Sequence, residues 1–218
     1  MISLSPSGVN LMDECPKCFW REHHGDPRPR QIFPSITNGI DGLLKSEFDL
    51  YRAGANTVSP GLPEGYVPFP DQMFVDRLRA RDGGLWWQDG DYRMHGLLDD
   101  LLLYGDGVGA QMALIDFKSK GKAPEQRDTR WYTGQLNLYA FLMHYNAYPV
   151  HKEAVLLYVY PNISDGGLKL TTTALSIDVA PEKGLALLKR AIQILDGDMP
   201  HASGSCTYCK YRDGGKRE

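Results

Sequence analysis

Two Cys-x-x-Cys pairs stand at opposite ends of this chain and restrict its fold more than any other feature. Cys15 and Cys18 lie near the start of the 218 residues, Cys206 and Cys209 lie near the end, and no other cysteine is present. In a reducing compartment, pairs with this spacing are more typical of one thiolate metal site than of disulfides. Such a site would hold the two ends of the chain together, and part of its binding free energy would be folding free energy.

The cysteines alone leave the bound centre open, because four thiolates suit either Zn²⁺ or an iron–sulfur cluster. The alternative is that they are buried or redox-active cysteines that never meet. Pro16 and the turn residues Gly204 and Ser205 favour ligand loops instead. We expect one domain over residues 1–218, with a core of about residues 35–196 and a metal-binding subdomain formed by residues 1–34 and 197–218.

Composition sets broad limits on the class of protein. Hydrophobic residues make up 42% and charged residues 23% of the chain, as in ordinary globular proteins. The apolar runs are too short for a membrane span, and the N-terminus lacks the basic and apolar regions of a signal peptide. We therefore expect a cytoplasmic protein without a membrane partner. The net charge of −3 argues against a general nucleic-acid coat protein, but it permits a local basic channel.

Hydrophobic spacing and turn residues predict an α/β or α+β fold, with a mixed central β-sheet flanked by helices. Ser5-Pro6 is typical of a helix start, and Gly54–Pro70 is rich in Gly and Pro and is expected to be irregular. The further predicted helices cover Ser35–Tyr51, Thr129–Tyr145 and Pro181–Leu195. The predicted strands cover Gly84–Trp87, Tyr92–Tyr104, Ala110–Lys118, Val150–Tyr160 and Leu168–Val179.

A turn-rich segment, Gly105–Gly109, separates two of these strands and predicts a hairpin. Folding the flanks back about Gly107 sets Asp99 opposite Asp116, where facing Cβ atoms of an antiparallel pair lie about 5 Å apart. Lys118 is two residues beyond Asp116 and so points to the same face. Two carboxylates and an ammonium on one face suit a hard divalent cation that acts beside a lysine.

Three motifs in this order resemble the PD-(D/E)XK nuclease superfamily: Gly96-x-x-Asp99, Asp116-Phe-Lys118 and Gln135-x-x-x-Tyr139. More narrowly, they are similar to the RecB-type branch, which includes CRISPR-associated exonucleases and the nuclease domains of recombination helicases. Ser5-Pro-Ser7 followed by Cys15-Pro-Lys-Cys-Phe-Trp20 also resembles the opening of that branch. The resemblance covers nearly the whole chain and implies a restriction-endonuclease-like core.

The resemblance assigns roles to individual residues. It implies that Asp99 and Asp116 bind catalytic Mg²⁺ or Mn²⁺, with the backbone carbonyl of Phe117 as a third ligand. Lys118 would orient or activate the attacking water, or stabilise charge on the phosphate. Gln135 and Tyr139 lie on one helix face, which the family places beside the catalytic strand, in reach of the DNA backbone or of Lys118.

The chain departs from the family pattern in two places. The family commonly has a His or Glu ligand on the helix before the first strand. Here Asp41 is the candidate, with Glu47 and Asp49 as weaker ones. The branch often has one cysteine before the core and three after it, whereas this chain has two and two, which resembles a zinc ribbon as much as a cluster. By analogy we expect a [4Fe-4S] cluster, with Zn²⁺ as the alternative.

These observations support two hypotheses. The first is a metal-dependent DNA nuclease, an exonuclease that acts on DNA ends or single strands, with protein partners in DNA repair, recombination, phage or CRISPR processing. The second is a non-catalytic nucleic-acid or protein-binding module on a degenerate nuclease fold. Trp131 and Tyr132 either stack on bases or pack in the core. A basic group next to the site is either a solvated loop or a DNA-backbone channel, and it comprises Lys120, Lys122, Arg127 and Arg130.

Overall fold

The computed structural model describes residues 1–29, 35–55, 61–164 and 166–214. The helices are α1 (Pro6–Glu14), α2 (Pro16–His23), α3 (Ser35–Arg52), α4 (Gln72–Arg79), α5 (Thr133–Tyr145), α6 (Pro181–Asp196) and α7 (Thr207–Gly214). The strands are β1 (Ile2–Leu4), β2 (Tyr66–Pro68), β3 (Leu85–Asp89), β4 (Tyr92–Gly96), β5 (Asp100–Tyr104), β6 (Gln111–Ser119), β7 (Glu153–Ser164) and β8 (Gly167–Asp178). Within the described residues, no helix is both long and apolar enough to cross a bilayer.

The strands form a mixed arrangement flanked by helices, as the sequence predicts. The larger sheet has the order β2-β5-β6-β7-β8, in which only β6 and β7 are parallel. A smaller sheet has the order β1-β4-β3, and β1 pairs with β4 in parallel. The mixed sheet confirms the predicted fold class.

The predicted single strand Tyr92–Tyr104 is wrong, because it is divided between the two sheets as β4 and β5. Between β4 and β5, backbone groups form hydrogen bonds with residues outside the two sheets. The Leu98 N–H donates to the Leu78 carbonyl at 3.2 Å, and the Leu97 carbonyl accepts from the Tyr139 hydroxyl at 2.7 Å. These contacts come from segments distant in the sequence, so the local pattern of apolar residues did not reveal the break.

Two apolar layers cover the faces of the larger sheet. On one face, Leu44 and Phe48 of α3 join a buried cluster with strand residues such as Phe117. On the other face, α5 and α6 pack in a larger cluster that includes Leu114 of β6. Because side chains alternate along a strand, Asp116 shares the face of Leu114 and so lies on the α5 side.

Local signals located several elements correctly. The Ser5 hydroxyl accepts from the Gly8 N–H at 3.1 Å and caps α1, as the Ser-Pro start predicts. The β3–β4 turn places Gly90 at a φ of 53°, which glycine adopts readily. Helix α4 was not anticipated, and β2 lies inside the segment expected to be irregular, of which residues 56–60 are outside the described part. The metal-binding subdomain stays a prediction, and residues 30–34 and 215–218 of it are likewise not described.

Candidate active site and metal centre

The candidate active site lies where β5 and β6 separate. The two strands pair with Asp100 opposite Ile115 and Tyr104 opposite Gln111, which is the register predicted from the turn. The ladder ends there, one position before Asp99 and Asp116. Strand β6 continues beside β7 as far as Ser119, so the last part of β6 is paired on the β7 side but no longer on the β5 side.

Asp99 takes the place of the missing strand partner. Its Oδ2 accepts a hydrogen bond of 2.9 Å from the backbone N–H of Phe117. This bond satisfies an N–H that the β5–β6 ladder leaves open and holds the carboxylate beside β6. Gly96 permits helix α5 to approach, since an added Cβ would lie 2.9 Å from the Tyr139 ring and 2.8 Å from Leu142.

Asp116 is only 4% exposed and has a partner for each oxygen. Gln135 donates to its Oδ1 at 3.0 Å, and the Lys118 ammonium pairs with its Oδ2. Burial raises the pKa of Asp116 to about 6; Lys118 opposes the rise, and the charges of Asp99 and Asp41 add to it. These effects show that the three carboxylates belong to one electrostatic cluster.

Lys118 is held on the same face by two contacts. Its ammonium lies against Asp116 and 4.7 Å from the centre of the Tyr132 ring. Burial lowers the pKa of Lys118, but Asp116 and Asp99 outweigh burial and leave it raised. The group is therefore a cation at neutral pH.

Helix α3 brings Asp41 to the site together with a residue that the sequence analysis missed. The Nζ atom of Lys45 lies 2.8 Å from Asp41 Oδ2 and 3.1 Å from Asp99 Oδ1. Burial disfavours the ammonium, but Asp99 and Asp41 raise the pKa of Lys45 overall. The four-residue spacing on a helix was the available signal, because it places Lys45 on the same face as Asp41.

The two weaker acidic candidates do not join this cluster through Lys45. Asp49 pairs with Arg52 at 2.7 Å and with Arg79 at 2.9 Å, in a separate ion-pair network. Glu47 is two helical positions from Lys45, a rotation of about 200°, and so faces away from it. Of the acids on α3, Asp41 is the one placed beside Asp99.

The oxygen atoms of the site fit a hard divalent cation. Asp116 Oδ2 is buried and makes no hydrogen bond beyond its contact with the Lys118 ammonium. Mg²⁺ prefers oxygen ligands and usually keeps several waters, so Asp99 and Asp116 provide sufficient carboxylates. Each of the acids Asp41, Asp99 and Asp116 lies against a lysine.

The basic residues beyond β6 divide into two groups. Lys120 pairs with Asp128, and Arg127 lies 2.9 Å from Glu125, so both have local acidic partners. Lys122 and Arg130 are exposed. The Arg130 guanidinium lies 4.5 Å from the ring centre of Trp131, which is itself 63% exposed, whereas Tyr132 lies beneath Lys118.

The four cysteines converge, as the sequence predicts. They are buried, and their sulfur atoms all lie within 4.8 Å of one another. Cys18 Sγ lies 3.3 Å from Cys209 Sγ and 3.7 Å from Cys206 Sγ, and Cys15 Sγ lies 3.8 Å from Cys209 Sγ. A tetrahedral ion with Zn–S bonds of about 2.3 Å separates its sulfurs by about 3.8 Å. The spacing therefore fits one tetrahedral metal ion.

Arg28 adds a positive group to the cysteine cluster. Its guanidinium donates to Cys206 Sγ at 3.4 Å and pairs with Glu14 at 2.6 Å. Burial opposes ionisation of Cys206, but hydrogen bonds from the Cys209 N–H and the other thiols lower its pKa to about 7. At Cys206 these contacts favour the thiolate form that binds metals, whereas burial raises the pKa of Cys18 and of Cys209.

Comparison with known proteins identifies the family. The sequence matches the profile described as the PD-(D/E)XK nuclease superfamily over residues 49–213 of 218. The chain belongs to the PD-(D/E)XK nuclease superfamily. Its members are in general nucleases that use divalent metals. No curated protein matches the sequence.

The PD-(D/E)XK match covers most of the candidate site. It contains Asp99, Asp116, Lys118, Gln135 and Tyr139, and also the second cysteine pair. Asp41, Lys45 and the first cysteine pair precede it. Asp41 and Lys45 are therefore assigned to the candidate active site by their contacts in the structure and not by the family match.

Proposed function

We propose that this PD-(D/E)XK protein is a Mg²⁺- or Mn²⁺-dependent deoxyribonuclease of the RecB-type branch that acts on DNA ends or single strands. The observation that carries the proposal is the buried Asp116 carboxylate at the end of the β5–β6 ladder. It contacts Lys118 and Gln135 and interacts electrostatically with Asp99. A buried carboxylate beside a lysine and further carboxylates is costly for folding and is typical of catalytic sites.

The proposal gives each residue a role. Asp99 and Asp116 would hold the ion, with the Phe117 carbonyl and Asp41 as further candidate ligands. When bound, the ion lowers the pKa of an attacking water and stabilises charge on the phosphate. Lys118 orients that water or adds positive charge where the transition state becomes more negative.

Gln135 and Tyr139 act as positioning residues in this proposal. Both are buried, with exposures of 7% and 8%, so their contacts are with protein groups. Gln135 holds Oδ1 of Asp116 and leaves Oδ2 toward Lys118. Tyr139 holds the carbonyl of Leu97, two residues before Asp99, and so fixes the segment that presents that carboxylate.

Exposed groups beyond β6 support a single-stranded or frayed substrate. Lys122 and Arg130 are exposed cations that can neutralise phosphates. Trp131 exposes 63% of its surface, and an exposed aromatic ring stacks on unpaired bases. Lys120 and Arg127 would contribute less, because Asp128 and Glu125 already pair with them.

Cleavage of labelled DNA tests the proposal. We expect linear single strands and duplex ends to be degraded with Mg²⁺ or Mn²⁺, while closed circles resist. Asp116→Asn should lower the rate at least about a hundredfold, since loss of an ionic metal ligand costs several kcal/mol of transition-state stabilisation. Asp106→Asn changes an exposed acid at the far end of the same hairpin and should retain activity.

Equal cleavage by the wild type and Asp116→Asn would overturn the site assignment. Cleavage of circular DNA would overturn the exonuclease part of the proposal. DNA binding with no metal-dependent cleavage under any condition would favour the non-catalytic binding module instead.

For the cysteine centre we propose one structural Zn²⁺. In a four-iron cluster each thiolate binds a different iron, which holds the thiolates further apart than a single ion does. The sulfur contacts of 3.3–3.8 Å favour the single ion over the [4Fe-4S] cluster expected by analogy. Metal analysis should find one zinc in a colourless protein. Four irons with visible thiolate-to-iron absorbance would support the cluster and overturn this proposal.

A further inference from the structure

Lys45 links two carboxylates that come from different parts of the fold. Asp41 lies one turn before it on α3, and Asp99 lies at the start of the catalytic hairpin. The Lys45 ammonium contacts both, at 2.8 Å and 3.1 Å, and its side chain is 29% exposed. It therefore occupies a position lined by negatively charged oxygens at the edge of the site.

The atoms that Lys45 contacts are those a divalent cation would need. Asp99 Oδ2 already accepts the N–H of Phe117, so Oδ1 is the oxygen of that carboxylate without a backbone partner. Lys45 lies against this same Oδ1. An ion bound at Oδ1 would repel an ammonium held against the same atom, so binding of the ion favours release of Lys45.

The other lysine of the site, Lys118, has different surroundings. Its ammonium is tied to Asp116 and covered by the Tyr132 ring, on the α5 side of the sheet. Lys45 instead approaches from α3, on a flexible four-carbon stem that permits a change of rotamer. Lys118 is therefore the more enclosed of the two, with a side-chain exposure of 19%, whereas Lys45 lies at the edge of the site with 29%.

We propose that Lys45 competes with the divalent ion for Asp99 Oδ1 and, when the ion binds, exchanges its contacts with Asp41 and Asp99 for the scissile phosphate of bound DNA. The inference rests on the proposed function and adds a second phosphate-contacting lysine to it. The Lys45 ammonium lowers the repulsion between the Asp41 and Asp99 carboxylates. In the substrate complex, the released ammonium adds positive charge to the phosphate.

Three variants separate this role from a purely structural ion pair. Lys45→Met removes the charge and keeps much of the stem, Lys45→Gln does the same with a polar end, and Lys45→Arg keeps the charge. Lys189→Met is the matched control, because Lys189 is an exposed lysine on α6. Thermal unfolding followed by circular dichroism establishes which variants fold, and either neutral variant suffices for the test.

Isothermal titration with Mn²⁺ in the absence of DNA is the first measurement. We expect Lys45→Met or Lys45→Gln to bind Mn²⁺ about tenfold more tightly than the wild type, because a competing charge-assisted contact is gone. Lys189→Met should bind like the wild type. Unchanged or weaker Mn²⁺ binding by both neutral variants would overturn the inference.

Single-turnover cleavage at saturating Mn²⁺ is the second measurement. Tighter metal binding should accompany cleavage that is at least about tenfold slower, with partial recovery in Lys45→Arg. A neutral variant that cleaves at the wild-type rate overturns the Lys45 inference and leaves the proposed nuclease intact. A wild type that neither binds Mn²⁺ nor cleaves DNA overturns the proposed function and this inference with it.

Discussion

Asp116 combines burial, repulsion and attraction in one carboxyl group. Its pKa is raised to about 6, whereas an aspartate in an unfolded chain has a pKa of about 3.9. Between these two values the folded protein binds more protons than the unfolded protein. The free energy of unfolding contributed by Asp116 is therefore largest below about pH 4 and falls as the pH rises through 6.

The first prediction concerns this pH dependence. We compare the free energies of unfolding of Asp116→Asn and the wild type in buffer without divalent ions. From pH 4 to pH 7 the difference should change by about 2–3 kcal/mol in favour of the variant, since asparagine does not titrate. Urea unfolding at several pH values measures the difference. Asp106→Asn, an exposed substitution, should run parallel to the wild type. Parallel curves for Asp116→Asn as well would contradict the burial argument.

The adjacent residues Asp99 and Asp100 show how position decides role. Asp99 lies beyond the ladder and faces the site, whereas Asp100 is 1% exposed and pairs with Arg52 and Arg79. Two consecutive aspartates carry the same local signal. Because Arg52 of α3 and Arg79 of α4 lie beside Asp100, Asp100 forms an internal ion pair and Asp99 remains the candidate metal ligand.

At the scale of secondary-structure elements, Asp100 joins β5 to α3 and α4. Burial raises its pKa, and the two arginines counteract this rise. The second prediction is that Asp100→Ala lowers the free energy of unfolding by about 3–5 kcal/mol, because it removes the more buried of the two carboxylates that Arg52 and Arg79 share. Chemical denaturation measures this loss. Asp76→Ala, whose carboxylate is 60% exposed and 3.8 Å from Arg79, should cost less than about 1 kcal/mol.

Helices α5 and α6 pack closely through a glycine in the first turn of α6. A Cβ added at Gly184 would lie 2.1 Å from the carbonyl oxygen of Asn137. The Asn137 side chain also accepts the Ala180 N–H at 2.8 Å, just before α6 begins. The start of α6 is therefore fixed against the helix that carries Gln135 and Tyr139.

The third prediction compares two helical glycines. Gly184→Ala should destabilise the protein by about 2 kcal/mol or more, because the backbones of α5 and α6 must separate. Gly42→Ala on α3 should be neutral or stabilising by up to about 1 kcal/mol, since it is exposed and an added Cβ meets nothing within 4 Å. Thermal unfolding of both variants tests the contrast. Similar losses in the two would show that helix packing is not the cause.

At the scale of the whole molecule, the cysteine cluster joins segments from the two ends of the chain. Other contacts reinforce the junction. Lys17 pairs with Asp213 at 2.6 Å, Arg212 pairs with Asp26, and the Trp20 indole donates to the Gly197 carbonyl at 3.0 Å. The apolar clusters on the two sheet faces are separate from the cysteines, so the core has its own source of stability.

The fourth prediction concerns loss of the thiolate centre. Cys209→Ser should release the bound metal and lower the melting temperature by several degrees, because the binding free energy no longer favours the folded state. Lys210→Ala changes an exposed neighbour and should retain both metal and melting temperature. Metal analysis and calorimetry test this pair. Unchanged melting of a metal-free Cys209→Ser protein would contradict a structural role for the centre.

Local sequence determined a large part of this structure. The Ser5 cap, the Gly90 turn and the apolar spacing of α3 and α6 depend on neighbouring residues only, and they fold as predicted. The register of β5 and β6 follows in the same way from the short turn between them. The order of Asp99, Asp116 and Lys118 along that hairpin also carried the family resemblance, because these residues are close in sequence and in space.

Only the tertiary structure decided which other groups join the site. The division of Tyr92–Tyr104 into two sheets depends on Leu78 and Tyr139, which are distant in sequence. The contact of Lys45 with Asp99 and the pairing of Asp49 with Arg79 likewise depend on where α3 packs. Hydrophobic periodicity specifies which face of an element is buried, but it does not specify which polar side chains meet across two packed elements.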